Sequence, residues 1–438
     1  MTDATIMTPN SQFDAQQDMP DETRVEKAMT AFAKDFGLTA AVYMEACIHC
    51  GACAQACHFY TATEDPEYTP ILKLEPFKQA YKREAGPLAF AMKYLGLKPA
   101  VSSDELRDWQ ELLYDSCTMC GRCTQICPMS IDIASLVRQA RHGMAEAGLA
   151  PSELYDHARE QADEQGAPKL GAEDFTARVT ALGAEHGVEM HIDKPSAEVM
   201  LCTSTTELDT YPDALIATAR ILNRMGLDWT YVSDGWETSN YGIVSGNEDW
   251  QRATSARLVA AAERIGAKTM VLPECGHDYQ AMRWEAANEM GRPLPFRVLH
   301  IAELMAEGVE AGLLSFNRIG KTVTFHDPCQ VSRRGGAAEF PRVVMAALGL
   351  TVKEPYSPEE LNWCCGGGGG VIDIERANEL RYKAFEIKKH QLDDTGAEML
   401  ATTCASCRRQ FDDAGAHLNW DRKVNSLVVL AAENLKED

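Results

Sequence analysis

No apolar run in this chain approaches the ~20 residues that a bilayer-spanning helix requires. The longest stretches, 88–97 and 426–432, fall well short. Residues 1–21 are polar and acidic, with no basic start leading into an apolar segment, so the expectation is a cytoplasmic protein. Positive charge is also scarce: 42 Lys and Arg stand against 65 Asp and Glu, a formal net charge of −23. That balance disfavours a nucleic-acid partner. No G-x-G-x-x-G follows a strand, and the five consecutive glycines at 366–370 lack the Lys-Ser/Thr ending of a phosphate loop. A flavin or nicotinamide is therefore expected only on a partner. What remains is ordinary globular composition, 45% hydrophobic and 24% charged over 438 residues, enough for two or three cores.

Cysteine is abundant instead. Eight of the fifteen form two runs of identical spacing, Cys47, Cys50, Cys53, Cys57 and Cys117, Cys120, Cys123, Cys127, the second followed by Pro128. This C-x2-C-x2-C-x3-C pattern is the ligand pattern of two-cluster ferredoxins and points to electron transfer. Three thiolates on a tight loop hold three corners of a [4Fe–4S] cube, and the fourth reaches the neighbouring cluster. The expected sets are Cys47, Cys50, Cys53 with Cys127, and Cys117, Cys120, Cys123 with Cys57. Zinc knuckles are the rival, but zinc sites usually show separated C-x2-C pairs. His58 stands where the first run would normally carry proline, which loosens that turn without removing a ligand. Thiols spaced as metal ligands must stay reduced, in keeping with an intracellular site.

Beyond the second run, 131–146, 152–164 and 172–186 read as helices. From 197 the pattern alternates strand and helix, and from about 320 the same rhythm begins again. The cysteines align the two halves. Cys329, the pair Cys364-Cys365, and Cys404 match Cys202, Trp236-Glu237 and Cys275, at offsets of 127 to 129 residues. The expected fold class is α+β multidomain, with a flexible segment 1–39, a helical two-cluster ferredoxin-like domain 40–145, a helical bridge 146–196, and two pseudo-repeated α/β halves, 197–319 and 320–438. Between 73 and 98, Lys73, Lys78, Lys82, Arg83, Lys93 and Lys98 interleave with apolar residues. They read either as a docking face for a membrane subunit or lipid headgroups, or as a solvated amphipathic insert.

The second half holds five cysteines, Cys329, Cys364, Cys365, Cys404 and Cys407, where a cubane needs four. The surplus suits an opened or split cluster, and the glycines after Cys365 let backbone pass close to the cluster or to a bulky substrate. Cys329, Cys364-Cys365-Gly366 and Cys404-x2-Cys407 resemble the cysteine-rich CCG domain. Together with the two ferredoxin runs they resemble the iron–sulfur subunits of the heterodisulfide reductase family (HdrD-like), with the DsrK-type subunits of sulfur metabolism as the nearest branch. The resemblance covers about 40–140 and 197–435. It implies two [4Fe–4S] cubanes wired to a noncubane [4Fe–4S] cluster on the five cysteines, acting on a disulfide, trisulfide or thiol.

The resemblance further implies redox partner subunits, among them a membrane haem or quinone subunit that would hold the protein on the inner face of the membrane, and a small sulfur-carrier protein as substrate. His326, before Cys329, is the candidate proton donor to a departing thiolate, with a structural histidine at a strand end as the plainer reading. Arg333 and Arg334 would orient an anionic substrate or face solvent. Cys202, Cys275 and His277 are remnants or line the opposite wall of the cleft. Two rivals stand beside the disulfide-active subunit. One is an electron-transfer subunit of a flavin-linked glycolate, lactate or glycerol-3-phosphate dehydrogenase feeding the quinone pool, and the other is a zinc-stabilised interaction module.

Overall fold

The computed structural model describes residues 16, 18–35, 38–84, 91, 94–95, 101–163, 167 and 170–436. The chain splits into two compact units. The first comprises Met1–Ala158, Tyr241–Glu248 and Gly366–Phe385, and the second Arg159–Asn240, Asp249–Cys365 and Glu386–Asp438. This departs from the sequence boundaries in two places. The division cuts the expected bridge 146–196 at 158, and the glycine run belongs with the ferredoxin-like residues, not with the second α/β half.

The first unit is helical, built on α1 (Asp21–Asp35), α2 (Ala52–Ala56), α3 (Arg122–Ile126) and α4 (Ile133–Glu146). Asp21 and Glu22 in the first turn of α1 and Lys34 in its last complement the helix dipole. The helix buries Ala28 and Phe32 and packs on α4, where Gly143 leaves no Cβ in the way of the Phe32 ring. Buried Arg24 donates to Ala147 O at 2.7 Å and to Gln16 O at 2.7 Å. Much of the segment expected to be flexible is therefore a docked helix, while residues 1–15 lie outside the described residues.

Arg141 of α4, fully buried, gathers the outlying segments. It donates to Leu113 O (3.0 and 2.8 Å), Cys117 O (2.7 Å), Val244 O (2.8 Å) and Gly369 O (2.7 Å). Gly369, at φ 63°, lies so close to Thr118 that a Cβ would come within 2.8 Å of its carbonyl carbon. The glycine run thus serves backbone-to-backbone approach beside the Cys117 loop. The expected basic face is largely turned to other work. Lys73 is buried and donates to Ser116 O, Lys78 donates to Met44 O at 2.9 Å, Lys82 pairs with Glu45 at 2.8 Å and Arg83 with Glu105 at 2.7 Å. Lys93 and Lys98 lie outside the described residues.

The second unit carries two four-stranded parallel sheets of matching order, β2-β1-β3-β4 and β6-β5-β7-β8. The strands are β1 (Val199–Leu201), β2 (Trp229–Thr230), β3 (Thr269–Leu272), β4 (Arg297–His300), β5 (Thr322–His326), β6 (Thr351–Val352), β7 (Met399–Thr402) and β8 (Val424–Ser426). The central strands are short and almost wholly buried, as parallel strands covered by helices must be. Val199 and Leu201 share one core with Val323, Phe325 and Ala401, and Phe175 and Val179 of α5 (Ala172–His186) join it. Among the described residues no helix is long and apolar enough to cross a membrane.

Candidate metal centres

In the first unit two loops share one backbone. His49 (φ 52°) and Gly51 (φ 78°) lead into α2, and Met119 (φ 51°) and Gly121 (φ 74°) lead into α3. Left-handed residues at these positions turn successive N–H groups toward one point, a concavity suited to an anion such as a thiolate-ligated cluster. Cys47, Cys50, Cys53 and Cys127 line one cavity. Cys57, Cys117, Cys120 and Cys123 line another. The fourth cysteine of each run lines the cavity of the other run. His58 opens the helix His58–Thr63 and lines the Cys117 cavity, its ring 4.2 Å from that of Phe59.

Burial pushes the Cys53, Cys57 and Cys123 thiols up, Cys123 most. Neighbouring thiols add to this, while Lys73 opposes it at Cys57. Thiols crowded in this way stay protonated unless a cation takes them as thiolates, so both donor sets fit an iron–sulfur cluster.

In the second unit Cys364, Cys365, Cys404 and Cys407 are buried and mutually hydrogen-bonded, and His326 joins them. One ligand atom from each of His326, Cys365 and Cys407 lies within 4.8 Å of the others. Hydrogen bonds from Cys364 and Cys407 hold the Cys365 thiol well below its usual value, and the bond to Cys365 raises Cys407. Cys404 caps α7 (Ala405–His417), which places Cys407 one turn on, facing the same point. Cys329, half-buried on the turn after β5, is the one cysteine of the five outside this hydrogen-bonded set.

Two residues at this site carry no sequence signal of their own. Asn362 donates to His326 Nδ1 at 3.2 Å and to Asp327 O at 2.9 Å, and its Oδ1 accepts from Lys388 at 2.6 Å. Lys388 is fully buried, and burial pulls it down to about 7. Because Asn362 donates to Nδ1, the neutral imidazole carries its proton on Nε2, which is buried. Burial pulls His326 down to about 4, so near neutral pH it is a neutral hydrogen-bond donor. Arg333 is buried against the carbonyls of Glu360 and Asn362, a bracing role that differs from the expected substrate contact. Asp327 is paired with Arg342 at 2.8 and 3.0 Å.

The first α/β half repeats this geometry with different chemistry. Cys275 caps α6 (Gly276–Tyr279) in the same extended conformation as Cys404, and Asp278 stands three residues on, as Cys407 does. Asp278 bonds Cys275 and Thr238, while Glu237 accepts from Thr205 N at 2.6 Å and Ser239 N at 2.7 Å. Trp236 is buried and stacked on Phe175, centroids 4.4 Å apart at 11°. Cys202 is buried beside Asp278 and Glu237, Cys275 interacts with Cys404, and His277 is half-buried. Burial holds Asp278 up at about 7, Glu274 at about 7 and Glu207 at about 8.

The family model described as a 4Fe-4S dicluster domain matches residues 43–131, and the one described as a cysteine-rich domain matches 323–412. A subunit of the dihydromethanophenazine:CoB–CoM heterodisulfide reductase of Methanosarcina barkeri is 28% identical over 414 residues, which cover 91% of this chain and 96% of that protein. The Hdr-like menaquinol oxidoreductase iron–sulfur subunit of Archaeoglobus profundus is 25% identical over 432 residues, covering 84% and 75%. The EtfAB:quinone oxidoreductase of Syntrophomonas wolfei is 25% identical over 413 residues, covering 87% and 56%.

Proposed function

Because the chain is an HdrD-like iron–sulfur subunit of the heterodisulfide reductase family, an electron-transfer oxidoreductase component, we propose that it passes electrons through two [4Fe–4S] cubanes to or from a noncubane [4Fe–4S] cluster. The substrate is a disulfide, trisulfide or thiol of sulfur metabolism. The observation that carries this reading is the gathering of Cys364, Cys365, Cys404 and Cys407 in the second unit, with His326 within reach of Cys365 and Cys407; the first unit separately holds two four-thiol cavities. When bound, the clusters supply single electrons and, at the last site, more than one iron to hold sulfur.

The residues do the rest. Cys365, placed between Cys364 and Cys407, is a thiol whose ionisation their hydrogen bonds favour. His326 presents Nε2–H to it, kept in that tautomer by Asn362, which Lys388 orients in turn. A neutral donor in a dry site stabilises sulfur anion as it forms without itself surrendering the proton. Cys329 completes the ligand set in this reading. Redox partner subunits, a membrane haem or quinone subunit and a small sulfur-carrier protein are the proposed partners, with attachment to the inner face of the membrane through the second of these.

The relative named EtfAB:quinone oxidoreductase favours a second reading, an electron-transfer subunit serving a flavin-linked dehydrogenase. Anaerobic reconstitution should load about twelve irons per chain, and about eight would remove the third cluster. Addition of thiol or persulfide substrate to oxidised protein should then perturb the paramagnetic spectrum of the third cluster. Cys365→Ser should abolish that response while both cubanes still titrate. Retained turnover in Cys365→Ser moves the assignment to the second reading.

A further inference from the structure

The two cavities of the first unit share a backbone but not their electrostatic surroundings. Around the Cys117 cavity, three cationic side chains end on backbone carbonyls at or beside its cysteines. Lys73, buried, donates to Ser116 O, immediately before Cys117. Arg141, buried, donates to Cys117 O at 2.7 Å. Arg122, nearly buried, donates to Ala56 O at 3.1 Å, immediately before Cys57. Lys73 also stands 5.3 Å from the centre of the buried Phe59 ring and 5.6 Å from that of half-buried Tyr68.

Among the described residues nothing comparable meets the Cys47 cavity. Among the described residues that line it none is Lys or Arg. Lys78 donates to Met44 O at 2.9 Å, three residues before Cys47, and Glu45 stands 3.9 Å from the same ammonium group. Its rim faces water: Cys50 is exposed, as are Ile48 at 61%, Ile126 at 43% and Met129 at 43%. Adding an electron to a cluster adds negative charge. Fixed cations in a desolvated wall favour that charge more than water-screened ones do, and charge, hydrogen bonding and exposure are what set cluster potentials.

We propose that Lys73, Arg122 and Arg141 hold the Cys117-site cluster at a higher reduction potential than the Cys47-site cluster, so that the solvent-rimmed Cys47 site takes electrons from a one-electron donor and hands them on downhill. In each transfer one electron leaves the Cys47 site and one is gained at the Cys117 site, with no bond made or broken and no proton moved. The three cations are positioning residues for that electron. This rests on the two-cubane reading above.

The test is an anaerobic redox titration of the loaded full-length chain followed by electron paramagnetic resonance. Cys120→Ser, which alters one ligand of the Cys117 site, identifies that site's signal. In the unaltered chain the Cys117-site signal should appear first on reduction. Lys73→Gln keeps a donor for Ser116 O and removes the charge. It should lower the Cys117-site midpoint by about tenfold in equilibrium constant, about 59 mV for one electron, and leave the Cys47-site midpoint in place. Lys73→Arg should restore it. Arg122→Gln should act in the same direction, which covers the case in which position 73 does not tolerate substitution. The inference is overturned if the Cys47-site signal appears first, or if the charge-removing variants shift both midpoints alike or neither. Iron near four per chain, with no pair of cubane signals, would instead sink the two-cubane reading itself.

Discussion

The two α/β halves of the second unit have the same strand order and the same capped turn, yet only one gathers thiols. Cys404 and Cys407 occupy the turn in the C-terminal half, and Cys275 and Asp278 occupy it in the N-terminal half. Cys364 and Cys365 have their counterparts in Trp236 and Glu237. Each replacement is chemically self-consistent. Trp236 fills space and stacks on Phe175, while Glu237 and Asp278 take hydrogen bonds from Thr205, Ser239 and Thr238. The comparison teaches that the parallel-sheet scaffold presents a polar point at the same place in both halves, and that the side chains there decide what is done with it. In one half they are soft thiol donors bonded mainly to one another, and in the other hard carboxylate oxygens that accept from neighbouring hydroxyl and backbone N–H groups.

The sharpest way to break this comparison is to count iron in matched variants. Cys407→Ser in the C-terminal half should cost about four irons per chain. Cys275→Ser, at the matching cap of the other half, should leave the count unchanged, because Trp236, Glu237 and Asp278 stand there in place of three of the thiols. A loss of about four irons from Cys275→Ser would make that cysteine a ligand and erase the distinction.

A second variant asks whether Trp236 is core or lost ligand. Trp236→Ala removes a fully buried ring stacked on Phe175 and should destabilise the second unit by about 3–5 kcal/mol in urea unfolding, with iron content unchanged. A small stability change would mean that the space was never filled by packing. Altered iron would mean that the indole guards the cluster.

Much of this arrangement was legible beforehand where chemistry forces spacing. The crosswise faces of Cys57 and Cys127 follow from three ligands on a loop and a fourth on the next turn, and the offset between Cys275 and Cys404 marks the repeat. Contacts between distant segments were not legible. Phe32 finds the gap at Gly143 more than a hundred residues away, so α1 read as part of a loose leader. The glycine run read as room for a substrate because its neighbour, the backbone of Thr118, lies in another part of the chain. Lys73 read as a surface charge because a long side chain leaves no mark in sequence of whether it reaches water or, as here, the Ser116 carbonyl. Asn362 and Lys388 were missed for the same reason, since their roles exist only once His326 stands between them and the thiols.

The smallest effect tests the carboxylate half by pH. Burial, the largest cause, raises Glu207 to about 8 and Glu274 and Asp278 to about 7, from ordinary values of 4.5, 4.5 and 3.8. The folded chain therefore binds more protons than the unfolded chain between about pH 4 and about pH 8, and stability falls as pH rises across that window. It is fully present below the unfolded carboxyl range and lost through about 7 to about 8. Glu207 accepts from Thr203 Oγ1 at 2.7 Å and from Glu274 N at 3.0 Å. In Glu207→Gln the amide oxygen still accepts from Glu274 N, and the Thr203 hydroxyl turns to accept from the new amide nitrogen. The cost near pH 6 should be no more than about 1 kcal/mol. The gain should come above pH 8, where the variant lacks a buried charge that the unaltered chain must carry. Melting temperature followed against pH should show a shallower decline in Glu207→Gln. Parallel curves would place the titration elsewhere and leave the carboxylate half as passive as its missing cysteines suggest.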